Sequence, residues 1–146
     1  MGQRRRSREC ALQMLFQIDL TGVTPESVFE QFWDGHEAES EVRTFSQALV
    51  DGVFAAREQL DEKISAAADR WRIERMAIVD RNVLRMALYE LERDDGTPAG
   101  VVFDEAIEVA RRFGTEESAR FVNGVLDAIR RGTAAPGAAA DAATED

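Results

Sequence analysis

Apolar residues recur at spacings of three and four along nearly the whole chain, and this regularity restricts the fold more than any other property of the sequence. Side chains spaced this way line one face of an α-helix. Between Arg8 and Leu20 the apolar face is Ala11, Met14, Leu15 and Ile18. Thr21-Gly22 interrupts it. Thr24-Pro25-Glu26 starts a second helix, with Thr24 as N-cap and Pro25 at the first helical position, and this helix buries Val28, Phe29, Phe32 and Trp33. From Glu41 to Ala68 the period continues through Val42, Phe45, Leu49, Val53, Leu60, Ile64 and Ala67, a length too great for one average helix. Two helices meeting near Arg57 to Asp61 are predicted there. Trp71 and Ile73 lead into a further helix, Glu74 to Leu91, with Ala77, Val83, Leu84, Ala87, Leu88 and Leu91 towards the core. Asp94-Asp95-Gly96-Thr97-Pro98 is a turn. A helix from about Val102 or Asp104 to Phe113 should end at Gly114 in a left-handed cap. The last helix opens with Thr115 as N-cap and two acids that suit its positive end, and runs to about Arg131. No strand-like alternation and no repeat period is present, so the expected fold is all-α, a bundle of about seven helices.

Of 146 residues, 45% are apolar, which suits one domain with one core over residues 1–131. Residues 132–146 contain no large apolar side chain and are predicted to be a disordered, Ala-rich acidic tail.

Catalysis needs groups that converge, and few are available. His36 is the only histidine and lies in the polar segment Asp34 to Ser40, without a second metal ligand at a useful spacing. Cys10 is the only cysteine, on an apolar helix face, which excludes an internal disulfide and a cysteine metal cluster. No Gly-rich phosphate loop is present. The expectation is a binding protein: no enzyme, no catalytic residue, no cofactor and no metal. No apolar run reaches the roughly 18 residues of a membrane span, and Met1 to Ser7 leads into no signal-peptide core, so a cytoplasmic protein is expected.

The formal net charge of −10 argues against a protein that coats nucleic acid by global attraction. Residues 1–8 nevertheless hold four arginines and no acid, so the remainder carries −14 (−10 minus +4). Such a block is either a solvated tail or a local nucleic-acid contact. Arg4, Arg5 and Arg8 fall on one face if the first helix extends backward to include them. Arginine offers a fork for phosphate and a plane for unpaired bases, whereas no recognition-helix or zinc-finger pattern is present to read a DNA major groove. Asp80 lies near the edge of an apolar face, one turn before Leu84. Arg81 and Arg85 share a face, either as surface charge or as partners of acids on an adjacent helix. Gly124 inside the last helix predicts close helix packing, since an interior Gly costs about 1 kcal/mol relative to Ala. Phe113, Phe121 and Val122 are assigned to the core in preference to base stacking.

Three segments together resemble a known family. Arg-Arg-Arg-Ser-Arg-Glu-Cys-Ala-Leu-Gln-Met-Leu-Phe-Gln, from Arg4, resembles the N-terminal helix of the NusB transcription antitermination factors. Val-Asp-Arg-Asn-Val-Leu-Arg-Met-Ala-Leu-Tyr-Glu-Leu, Val79 to Leu91, is similar to the family's central helix. Asp-Glu-Ala-Ile-Glu-Val-Ala-Arg-Arg-Phe-Gly, followed at Phe121 by Phe-Val-Asn-Gly-Val-Leu-Asp, is the most specific match. The resemblance covers about Arg4 to Arg131. It implies a compact helical fold that binds the boxA element of nascent ribosomal RNA together with ribosomal protein NusE, so modifying elongating RNA polymerase in company with other Nus factors. It also implies RNA contact by Arg4, Arg5, Arg6 and Arg8, and a NusE-facing surface that includes Phe16 and Asp80. Phe16 stands where some relatives have tyrosine, and Asp80 where glutamate can stand.

A chain at −14 outside its first eight residues repels RNA over most of its surface, so binding should be weak and salt-sensitive until a basic partner completes the site. If the last helix runs beside the arginines, Asp127 opposes phosphate and modulates the affinity. The alternatives are an interaction module without direct RNA contact, and the NusB-like domain that precedes the catalytic domain of certain RNA cytosine methyltransferases. A homodimer covering the arginines is a further possibility that the sequence leaves open.

Overall fold

The structure is a computed structural model that describes residues 2–68, 71–93 and 95–132. Among them are seven α-helices, one short 3-10 turn and no strand. The helices are α1 (Gly2–Thr21), α2 (Pro25–Gly35), α3 (Ser40–Ala55), α4 (Arg57–Ala68), α5 (Ile78–Glu92), α6 (Ala99–Phe113) and α7 (Glu116–Arg131), with the 3-10 turn at Ile73–Arg75 before α5. The all-α expectation holds. The tail from residue 133 and Asp94 of the turn lie outside the described residues.

One core joins the helices. Leu12 and Met14 of α1, Leu49 of α3, Leu60 and Ile64 of α4, Leu84 of α5 and Leu126 of α7 are all fully enclosed. Cys10 is buried in this core, where desolvation pushes its thiol above the ordinary value. The two Thr caps form as expected. Thr24 accepts a hydrogen bond from the Ser27 N–H at the start of α2, and Thr115 accepts one from the Ser118 N–H at the start of α7.

Several boundaries differ from expectation. The α3/α4 break falls at Ala56, just before Arg57, and it is slight: Ala56 still donates to the Gly52 carbonyl and accepts from Leu60. No Gly or Pro marks it, because one residue leaving helical geometry suffices. The central helix begins at Ile78, not Glu74, so Ala77 is its exposed N-cap and not a core residue. Helix α6 starts earlier than predicted, directly after Pro98. Gly114 is not left-handed (φ −115°); a Cβ there would lie 2.5 Å from the Ser118 hydroxyl and 2.8 Å from the Ala110 carbonyl, so space and not handedness requires glycine. Left-handed glycines instead follow α1, at Gly22 (φ 76°), and α7, at Gly132 (φ 72°). A close helix contact occurs at Gly52, where a Cβ would meet the Tyr89 ring at 2.0 Å.

Candidate functional site

The four N-terminal arginines lie on the first two turns of α1, as their spacing requires, yet they have different environments. Arg4 is exposed, and its guanidinium lies 3.9 Å over the centre of the Phe45 ring of α3. Arg6 is also exposed and donates to the Glu37 carbonyl at 3.1 Å. No carboxylate among the described residues pairs with either. Arg5 forms a two-point pair with Glu105 of α6, at 3.1 and 2.7 Å. That pair raises the Arg5 value and holds the Glu105 carboxyl below the usual range, against the opposing effect of burial.

Arg8, grouped with the other three by the resemblance, has a different environment. It is only 4% exposed, and its guanidinium makes two 2.8 Å bonds to Glu90 of α5, with Glu105 at 3.8 Å. Burial is the largest effect and disfavours its charge, but the Glu90 bonds and the negative charges of Glu90 and Glu105 together outweigh it, and the value is raised. A guanidinium committed in this way supports the arginine face without belonging to its surface.

Ion pairs fix how the helices run. Arg8–Glu90 near one end of α1 and Arg81–Asp19 near the other set α5 antiparallel to α1. Arg5–Glu105 and Arg112–Glu9 set α6 parallel to α1. Arg130 of α7 stands over Phe103 of α6, so α7 returns antiparallel to α6. The N-terminus of α1 and the C-termini of α5 and α7 therefore gather at one end of the bundle. Arg93, just beyond α5, and Arg130 and Arg131 of α7 join Arg4 and Arg6 there. Asp127 sits among them, a quarter exposed, paired with Arg130 and with Arg131 at 3.2 Å each. The last helix runs to the arginine end.

Further along α1 is a second, apolar surface. A groove of about 530 Å³ is lined by Leu12, Phe16 and Leu20 of α1, Phe32 of α2, Val79 of α5 and Phe113 at the end of α6. Leu20 is 61% exposed and carries the apolar surface of the groove to the end of α1. Phe16 is in the groove itself, whereas Asp80, next to Val79 in sequence, is not among the residues that line it. Asp80 is half-buried without an arginine partner. Burial pushes its carboxyl above the ordinary value, against a lowering by the Ser118 hydroxyl, and its Oδ1 has no hydrogen-bond partner among the described residues. His36 stacks on Phe32 at 4.0 Å and lines the same groove. Phe121, assigned to the core, is only partly buried and packs edge-on against Trp71 at 5.4 Å.

Near the C-terminal end of α1, Arg81 and Arg85 take the second of the roles open to them. Asp19 of α1 accepts from Arg81 at 2.7 and 2.9 Å, from Asn82 at 2.9 Å and from Arg85 at 3.1 Å. Asp61 of α4 takes the other edge of Arg85, at 2.7 and 2.9 Å. Burial acts to raise Asp19, but these donors prevail and its carboxyl is held below the ordinary range. Nothing in the sequence marks Asp19, Asp61, Glu90 or Glu105 as partners, because an acid at the edge of an amphipathic helix looks the same whether it faces water or a distant arginine.

The chain matches the model of the NusB family over residues 5–131. It is 46% identical to the "Transcription antitermination protein NusB" of Desulforudis audaxviator (strain MP104C), over 87% of this chain and 92% of that protein. Its fold is similar to that of T. maritima NusB, with a TM-score of 0.81 and 36% identity over 90% of this chain and 92% of that one. It is similar in the same measure, TM-score 0.81 at 28% identity over 90% and 98% of the two chains, to a crystal structure of antitermination factors NusB and NusE in complex with dsRNA. The match reaches from the second arginine of α1 to the last residue of α7 and so takes in both surfaces of the first helix: the chain belongs to the NusB family.

Proposed function

We propose that the chain is a transcription antitermination factor that binds the boxA element of nascent ribosomal RNA jointly with ribosomal protein NusE, and through that assembly and other Nus factors modifies elongating RNA polymerase in the cytoplasm. The observation that carries this reading is the division of α1. Its first two turns carry Arg4 and Arg6 without carboxylate partners among the described residues, and its later turns carry the apolar groove with Phe16. A relative of the same fold has been solved with both NusE and RNA. In this arrangement Arg4 and Arg6 meet phosphate or bases, Arg5 contributes its remaining edge while held by Glu105, and Arg8 anchors α1 on Glu90. Phe16 supplies apolar area to NusE, and Asp80 an acceptor. Asp127 lowers RNA affinity.

The charge distribution explains why a partner is required. With −14 outside the first eight residues, the few arginines work against a repulsive background, and a basic partner offsets it. Titrating boxA RNA with the chain alone should give weak binding, and adding NusE should strengthen it at least tenfold. Replacing Arg4 and Arg6 together with Ala should remove most of that RNA affinity while NusE binding persists. Full-strength binding by the chain alone in physiological salt would contradict the shared site. RNA affinity unchanged in the double variant would favour the second reading, an interaction module whose arginines do not touch RNA. That second reading draws on one observation, that Arg5 and Arg8 are already occupied by carboxylates.

A further inference from the structure

A groove of about 350 Å³ lies beside the N-terminus of α1, lined by Arg4 of α1, Ser40, Thr44 and Phe45 of α3, and Arg93 beyond α5. Its floor is the partly buried Phe45 ring, covered by the Arg4 guanidinium at 3.9 Å, with that of Arg8 behind it at 5.8 Å. Arg93 closes one end, standing 5.4 Å over the Tyr89 ring, and its Nη1 is buried with no hydrogen-bond partner among the described residues. Unsatisfied guanidinium hydrogens in a partly enclosed groove are costly and favour an acceptor. The Thr44 side chain is exposed on the rim. The opposing charges are Glu41, also on the rim, and Asp95, whose carboxyl is lowered first by the Thr97 N–H and then by Arg93 and Arg4. Attraction of phosphate is therefore limited, and most of the recognition falls to the aromatic face.

A planar cation resting on an aromatic ring holds the position that an unpaired base takes on a stacking platform. We propose that this groove takes one nucleotide of single-stranded RNA, its base stacking on Phe45 in place of the Arg4 guanidinium and its flanking phosphates meeting Arg4 and Arg93. The inference rests on the RNA-binding function above and extends that site from α1 onto α3 and the end of α5. It gives Arg4 two states: a lid on Phe45 without RNA, and a phosphate contact with it.

The test uses a single-stranded boxA RNA, titrated in the presence of NusE against the full chain and two variants. Phe45→Leu keeps apolar volume over the core but removes the stacking face, and should weaken RNA binding about tenfold, the scale of one lost base stack. Thr44→Glu changes only an exposed rim position and should also weaken binding, by about threefold or more, through repulsion of phosphate. With 4-thiouridine at successive positions of the RNA, photocrosslinks should map to the segment Ser40 to Ala48. Both variants binding within twofold of the parent, or crosslinks falling only on other segments, overturns the groove while leaving the RNA function intact if the Arg4 and Arg6 double variant still loses affinity. Absence of RNA binding by the parent chain with NusE overturns both.

Discussion

Arg6 and Arg8 are two positions apart on the same helix, yet Arg6 is exposed and Arg8 is buried against Glu90. Arg8→Ala strands Glu90, 3% exposed, without its cation, and should cost about 3–5 kcal/mol of stability. Arg6→Ala removes an exposed side chain and should stay within about 0.5 kcal/mol. Thermal or chemical unfolding of the two variants measures the contrast, and equal stabilities would show that the Arg8–Glu90 pair does not hold α1 in place. Asp19 gives a pH-dependent counterpart. Its carboxyl, and that of Glu105, are held below their ordinary values in the folded chain. Stability from these groups is therefore fully present above the unfolded carboxylate value of about 4 and is lost as pH falls through the lower folded values. Asp19→Asn should lower stability at pH 7 by about 2–4 kcal/mol, since it leaves Arg81 and Arg85 short of an anion, and should flatten the decline in acid. A variant whose unfolding curve keeps the parent's acid dependence would exclude Asp19 as a source of it. None of these partners was legible in the sequence: Arg8 and Glu90 are 82 positions apart, and Arg81 and Asp19 are 62 apart. Local spacing identifies a charged face but not what the fold sets against it.

At the scale of helices, spacing carried most of the fold. Apolar periodicity located all seven helices, and Thr24 and Thr115 marked two starts through the hydrogen bonds they accept. Where boundaries were misplaced, the determinant was tertiary or without a strong local signal: the near-continuous turn at Ala56, the 3-10 segment that seats buried Met76 ahead of α5, and α6 beginning on a proline without a side-chain cap. Close helix packing is predicted from the sequence at Gly124 and not at Gly52, where α3 and α5 meet through the Tyr89 ring. Gly52→Ala sets two effects against each other. Helix propensity favours Ala by about 1 kcal/mol, whereas a methyl at 2.0 Å from the ring forces Tyr89 out of its site, at about 1–3 kcal/mol. Steric displacement should prevail, giving a net loss of about 1 kcal/mol. The double variant Gly52→Ala with Tyr89→Leu should regain most of it in chemical unfolding. Failure of the second change to compensate would mean that the ring is not what Gly52 accommodates.

Across the whole molecule, charge is sorted by the direction of the helices more than by composition. The sequence shows one basic block at residues 4–8, but antiparallel packing of α5 and α7 brings Arg93, Arg130 and Arg131 to the same end, from positions far along the chain. Asp127 is the acid set among them. It faces the arginine end on α7, and it also holds Arg130 and Arg131, which are otherwise 58% and 69% exposed. Removing its charge has two consequences in the same direction: phosphate meets one fewer carboxylate, and two guanidinium groups become available to it. Asp127→Asn should strengthen boxA RNA binding in the presence of NusE by about threefold to tenfold, the effect of roughly 1 kcal/mol. The salt dependence separates the two contributions. Each phosphate newly neutralised adds about 0.7 to the slope of log affinity against log salt for a single strand, so release of one or both arginines should steepen it by about 0.7–1.4, whereas relief of repulsion alone adds no phosphate contact. In a chain that also carries Arg130→Ala and Arg131→Ala, the steeper slope should disappear and only the smaller gain remain. If Asp127→Asn leaves both affinity and slope unchanged, α7 ends beside the RNA path without taking part in it, and the interface is confined to α1 and the helices it touches.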